Sequence, residues 1–196
     1  MSGQKRLPVA AVLMLAGALT FTGCSPSGSG SSSDAGFIKG SAGVDTVPLA
    51  ARKAAPAIAG NDLNGKPIAL SDYQGKIVVI NLWGSWCSGC RAEADGLEQA
   101  YEKYQGQGVQ FLGINTRDTD PTNALRFEQT HGITYPSLYD PDGTQILRFP
   151  KGSFDPQFLP TTLVVDRHGR LAARALQAVS TDQIEALVTP ILAERN

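Results

Sequence analysis

A short apolar run, IVVINL at residues 77–82, leads through Trp83-Gly84-Ser85-Trp86 into Cys87-Ser88-Gly89-Cys90. Beyond the second cysteine, Ala94, Leu97 and Tyr101 fall at three- and four-residue spacings, which predicts a helix from residue 87 to about 104. A run so nearly free of polar residues is what a central strand covered on both faces shows. The junction therefore places two thiols in the first turn of a helix that follows a buried strand. Backbone N–H groups there lack partners and the helix dipole is positive, so a thiolate is stabilised. The thiolate is the attacking species in sulfur exchange, and its population controls the rate. Two intervening residues bring the second sulfur about one turn along, within reach of a disulfide.

Such a pair has rival uses. Zinc would need two more ligands, and the candidates, His131 and His168, lie far along the chain in no ligand-like spacing. A purely structural disulfide would be unusual across two residues at a helix start, and redox exchange is the reading the placement favours. Neither a metal nor a cofactor is expected.

The remaining elements alternate. Asn64-Gly65 reads as a hairpin turn between strands near residues 57–60 and 68–70. VQFLGI at 109–114 is a second buried strand, and Pro121 opens a helix through His131, at a position where its missing N–H costs nothing. A third strand is expected over 160–165, a tight turn at Asp166-Arg167-His168-Gly169, and a fourth strand over 171–179. Ser180 and Gln183 have capping-box spacing and start a last helix to about residue 192, with Pro190 near its end. The pattern predicts an α/β fold, a mixed central sheet with helices on both faces.

The N-terminus carries a different signal. Lys5 and Arg6 precede an apolar run over 9–21, followed by Gly23-Cys24, which is the layout of a secretory signal and too short for a membrane span. Phe21-Thr22-Gly23-Cys24 resembles the bacterial lipobox, with Phe21 standing where that pattern usually has Leu. The resemblance implies cleavage after residue 23 and lipidation of Cys24, and it accounts for the odd third cysteine. Nine of the twelve residues at 25–36 are Ser or Gly, a flexible tether of roughly 20 Å mean reach. The expected organisation is a signal peptide at 1–23, a lipidated cysteine and linker at 24–54, and one domain at 55–196. Beyond Cys24 the body is slightly more acidic than the whole chain's net charge of −1, which offers no footprint for nucleic acid.

Two blocks carry a family likeness. Leu70-Ser71-Asp72-Tyr73-Gln74-Gly75-Lys76 followed by IVVINLWGSWCSGCRAE, and Leu159-Pro160-Thr161-Thr162 followed by LVVDRHGRL, resemble the TlpA/ResA-like branch of the thioredoxin superfamily. The resemblance covers the chain from about residue 56 onward and implies a thioredoxin-like fold with that branch's insertion, here within about 115–158. It implies that Cys87 attacks and Cys90 resolves. Pro160 would be the cis-proline that faces the pair and, with Leu159 and Trp86, contacts the substrate. Glu93 matches an acid near the pair, on the helical face of Cys90. Asn81 stands where thioredoxins have a buried Asp, and Ser88-Gly89 replaces the Pro-containing dipeptides common between the cysteines. Arg91 reads as a solvated charge.

The implied activity is thiol–disulfide exchange outside the cytoplasm. Its expected partners are disulfide-bearing proteins, apocytochrome cysteines among them, a membrane thiol–disulfide transporter as electron donor, and the membrane itself through the lipid. The same site could run as an oxidant or isomerase. A thiol peroxidase would want Thr or Ser three residues before the reactive Cys and Pro seven before, where this chain has Gly84 and Ile80. A tethered binding module is the non-enzymatic alternative.

Overall fold

A computed structural model describes residues 1–3 and 35–194. The signal segment past residue 3, Cys24 and nearly all of the Ser/Gly tether lie outside the described residues. The elements in chain order are β1 (Val44–Thr46), β2 (Ala59–Asn61), β3 (Pro67–Ala69), β4 (Ile77–Trp83), α1 (Ser88–Tyr104), β5 (Val109–Thr116), α2 (Pro121–His131), β6 (Ser137–Asp140), β7 (Thr161–Val165), β8 (Leu171–Ala175) and α3 (Thr181–Leu192).

Six strands form one sheet in the order β1-β8-β7-β4-β5-β6, and β2 and β3 form a separate hairpin. β4, β5 and β6 run parallel, while β7, β8 and β1 each run antiparallel to the neighbour on that side. β4 lies inside the sheet, and all seven of its residues are buried. Successive side chains point to opposite faces. Ile77 and Val79 meet Leu97, Ala100 and Tyr104 of α1 and Ile184, Leu187 and Val188 of α3. Val78, Ile80 and Leu82 meet Phe37, Ile58, Ile146 and Phe149. Both faces need apolar residues, which explains a run in the sequence broken only by Asn81.

The expected mixed sheet is present and both its faces are covered, but the covers differ in kind. All three α-helices share the face of Val79, since Trp83 on that face stacks on Phe127 of α2 at 4.6 Å. The other face is closed by the β2–β3 hairpin side, two 3₁₀ turns at Leu70–Tyr73 and Ile146–Arg148, and the N-terminal segment. Between β5 and β7 stand α2 and β6, the extra helix and strand expected within 115–158. α2 starts with Pro121 under an Asp120 cap and stops at Gly132, whose φ of 64° suits the left-handed C-cap. Ser180 and Gln183 cap α3 reciprocally, and the helix runs two residues past Pro190.

Three boundaries differ from the sequence expectation. The fourth strand stops at Ala175 rather than 179, because the Val179 N–H is taken by the Glu93 carboxylate instead of a strand partner. β6, the strand of the expected insertion, has no residue range in the sequence reading, because four residues show too little pattern to place it. Residues 35–54, expected as linker, are largely part of the domain. Ala35, Phe37, Val44 and Val47 are buried, β1 pairs with β8, and Ile38 bridges Thr46. Their partners lie more than a hundred residues downstream, so no local periodicity reveals them.

Arg174 of β8 fastens that segment. Its Nε donates to Asp45 Oδ2 at 2.9 Å, its Nη1 donates to Ser153 O at 2.7 Å, and its guanidinium lies 4.3 Å from the Phe37 ring centroid. Removing one partner of a buried ion pair leaves the other unpaired, at a cost of several kcal/mol. Arg174→Ala should therefore lower stability by about 2–3 kcal/mol in urea unfolding and expose residues 35–47 to limited proteolysis. An unchanged midpoint and digestion pattern would show that the segment docks without Arg174.

Candidate active site

The C-terminal end of β4 turns into α1 through Gly84-Ser85-Trp86, and Cys87 is the N-cap of α1. Cys87 and Cys90 form a disulfide with Cα atoms 5.3 Å apart. The Cys87 sulfur also accepts from the Cys90 backbone N–H at 3.1 Å, a cap bond that would hold a thiolate in the reduced protein. Cys87 is the more accessible of the two, yet by little: 5% against 2%.

The Leu159–Pro160 peptide bond is cis. Pro160 lies against the middle of the cysteine pair: a Cβ added to Gly89 would come within 2.9 Å of Pro160 Cδ. Any larger residue at 89 would push the proline away, so Gly89 has a packing reason. Leu159 packs partly buried against the cluster that contains Cys87, Cys90 and Trp83. Trp86 is half exposed at 49%, with the Arg117 guanidinium 4.7 Å from its ring centroid. The loop thus brings Cys87, Cys90, Pro160, Leu159 and Trp86 to one end of the sheet.

Glu93 lies one turn past Cys90 on the inward face of α1 and is 1% exposed. Its Oε1 accepts from Asn81 Nδ2 at 2.8 Å, and its Oε2 accepts from the Val179 N–H at 2.9 Å. Burial pushes this carboxyl up to about 7, against the opposing pull of those two hydrogen bonds. Asn81 is therefore more than a missing acid. Its amide donates to a carboxylate, and by turning over it can accept from the protonated form. A second acid at 81 would instead face Glu93 with like charge.

Sequence reasoning missed what holds the loop. Asp118, 4% exposed, accepts from the Ser85 N–H at 2.8 Å, the Ser85 hydroxyl at 2.6 Å and Asn115 Nδ2 at 2.7 Å. Arg117 beside it adopts a left-handed backbone, φ 61°, unusual for a residue with a side chain. Arg91 donates to Ser85 O at 2.6 Å, so it is more than a solvated charge. A second acid, Glu128, is raised to about 7 by burial and hydrogen-bonds Ser137, whose hydroxyl accepts from Trp83 Nε1 at 3.3 Å. A polar residue three before Asp118 at a strand end was the one available signal. The two histidines are elsewhere: His131 is bonded to Asp95, and His168 sits in the β7–β8 turn.

A helix-capping cysteine pair faced by a cis-proline at the C-terminal end of a mixed sheet defines a thioredoxin-fold thiol–disulfide oxidoreductase. The AhpC/TSA family profile matches residues 51–174, and the chain belongs to that family, in its ResA-like branch. Thiol-disulfide oxidoreductase ResA of Bacillus anthracis is 30% identical over 139 residues, 71% of this chain and 77% of that one. A DsbF homologue from Corynebacterium diphtheriae superposes with a TM-score of 0.70 at 34% identity, covering 77% of this chain and 94% of the other. A secreted thiol-disulfide isomerase from Corynebacterium glutamicum gives 0.72 at 32% identity, covering 89% and 99%.

The raised Glu93 carboxyl makes stability depend on pH. Between its ordinary value of 4.5 and about 7, the folded protein keeps a proton that the unfolded chain releases. This contribution is fully present below 4.5 and is lost as pH rises through about 7. Urea unfolding of the oxidised protein should show stability falling by at most about 3 kcal/mol over this window. Glu93→Gln should flatten the fall, leaving the part due to Glu128. An identical slope in the variant would mean that Glu93 is ionised across the window.

Proposed function

We propose that the chain is an exported, lipid-anchored reductase of protein disulfides. The observation that carries this reading is the Cys87–Cys90 disulfide at the N-cap of α1, closed over by Pro160 at Gly89. In the reduced enzyme the Cys87 thiolate attacks a substrate disulfide. One substrate sulfur bonds to Cys87 and the other leaves as a thiolate. Cys90 then gives up its proton, attacks the Cys87 sulfur and releases the second substrate thiolate, so two electrons pass to the substrate and the enzyme disulfide forms. Glu93, one turn from Cys90 and raised to about 7, is the proposed acceptor of that proton, directly or through a water. Trp86, Leu159 and Pro160 are the proposed contacts for the substrate chain.

The family likeness supports paired cysteines of an apocytochrome as a substrate, and a membrane thiol–disulfide transporter as the donor that reduces the enzyme again. An exported reductase needs such a donor because its compartment is oxidising. The likeness to a secreted isomerase favours a second reading, in which the same pair oxidises or reshuffles disulfides. Alkylation trapping of Cys87 and Cys90 in cells separates the two: mostly reduced for the reductase, mostly oxidised for the oxidant. Peroxidase chemistry is disfavoured by residue type. Gly84 and Ile80 stand where that chemistry wants Thr or Ser and Pro, and a Cβ at Gly84 would lie 2.6 Å from Trp86 Nε1, so a Thr or Ser there would have to displace the Trp86 ring.

Cys90→Ala should accumulate mixed disulfides between Cys87 and partner proteins on non-reducing gels, and Cys87→Ala should not. The reverse pattern would exchange their roles. The anchor rests on Gly23-Cys24 and is tested separately. Cys24→Ala should release the protein from the membrane fraction or leave it unprocessed; unchanged fractionation and size would remove the lipid from the proposal.

A further inference from the structure

Beside the disulfide lies an open cavity of about 280 Å³ lined by Ser85, Arg91, Asn123, Arg126, Phe127 and other residues of α2. Ser85 stands two residues before Cys87, and the Arg91 N–H donates to Cys87 O at 3.3 Å, so the cavity lies next to the loop that carries the pair. Its charge is lopsided. Arg91 and Arg126 are exposed on its walls, and exposed Arg117 lies over the Trp86 ring on the same loop. Three acids stand nearby, each already held by a donor of the protein and two of them at the exposed surface. Asp118 is buried among Ser85 and Asn115 donors, Asp95 lies 2.8 Å from His131 Nδ1, and Asp120 caps α2 through the Thr122 N–H while its field reaches Arg126. Three arginines around one redox loop contrast with a chain whose net charge is −1.

Resting on the reading of the site as a protein-disulfide oxidoreductase, we propose that this cavity is a subsite for an acidic side chain flanking the target cysteine of the substrate. Phe127 supplies an apolar floor, and Asn123 adds an amide to the two guanidinium groups. Guanidinium groups are suited to carboxylates because their N–H donors match a carboxylate's two oxygens. Arg91 is partly occupied with Ser85 O, so Arg126 is the residue left to select charge. Rim charges of this kind act mainly on the rate of productive encounter and weaken with salt.

Two otherwise identical disulfide peptides, one with Glu and one with Lys beside the cysteine, test this against the pre-reduced full chain. The wild type should react about threefold to tenfold faster with the Glu peptide, and the gap should narrow at high salt. Arg126→Glu should abolish or invert the order, while its rate with uncharged bis(2-hydroxyethyl) disulfide stays at the wild-type value. Equal wild-type rates on the two peptides would overturn the subsite, and so would an Arg126→Glu variant that slows both peptides alike. Failure of the wild type on all three disulfides would instead sink the oxidoreductase reading.

Discussion

The Glu93 carboxylate joins the three parts that make the redox end of this protein. From α1 it reaches Asn81 on β4, and it accepts from the Val179 N–H in the turn that leads to α3. One buried group thereby fixes the first turns of the cysteine helix against the central strand and against the last helix. A purely apolar residue at 93 would leave the Asn81 amide short of a partner and the Val179 N–H unpaired, and each such buried donor costs about 1–3 kcal/mol. The same burial that makes the brace tight lifts the acid to about 7. Structural and proton-handling properties arise here from one desolvated carboxyl.

A second brace works from the opposite side of the loop. Asp118 holds Ser85 by its backbone and hydroxyl, and Ser85 lies midway between Trp83 at the strand end and Cys87 at the helix cap. Trp86 is thereby turned outward under Arg117, and Gly84 clears the room its ring needs. The cysteines are thus presented on a loop held by charge on one side and by Pro160 against Gly89 on the other.

Much of this was legible in the sequence, where the signal is local. The run at 77–82, the helix after Cys90, the Pro121 start and the Ser180–Gln183 box each depend on neighbours within a few residues, and they fall where expected. The candidate site was legible to the extent that chemistry is confined to one motif: Cys87, Cys90 and Pro160 meet as the family likeness implied. What depends on distant partners was not legible. Phe37 and Val47 look like tether until Arg174 and β8 arrive from the other end of the chain. Asp118 looks like a loop acid until Ser85 is folded onto it. Asn81 looks like a loss until Glu93 is seen to fill the gap.

The docked N-terminal segment also gives the domain a direction. Val44 pairs with Ala175, which is level with Thr162 at the redox end of the sheet, and β1 runs from there toward Thr46. The preceding chain doubles back, because Ile38 bridges Thr46, and Gly36 lies near Val47 and Ala51. Ala51 precedes Arg52, which is paired with Asp166 at the far end of β7 from Pro160. The backbone at Ala35 is therefore at the pole opposite the disulfide. Under the proposed anchoring, a tether joined at Ala35 would hold the domain from behind and leave Cys87 facing away from the point of attachment.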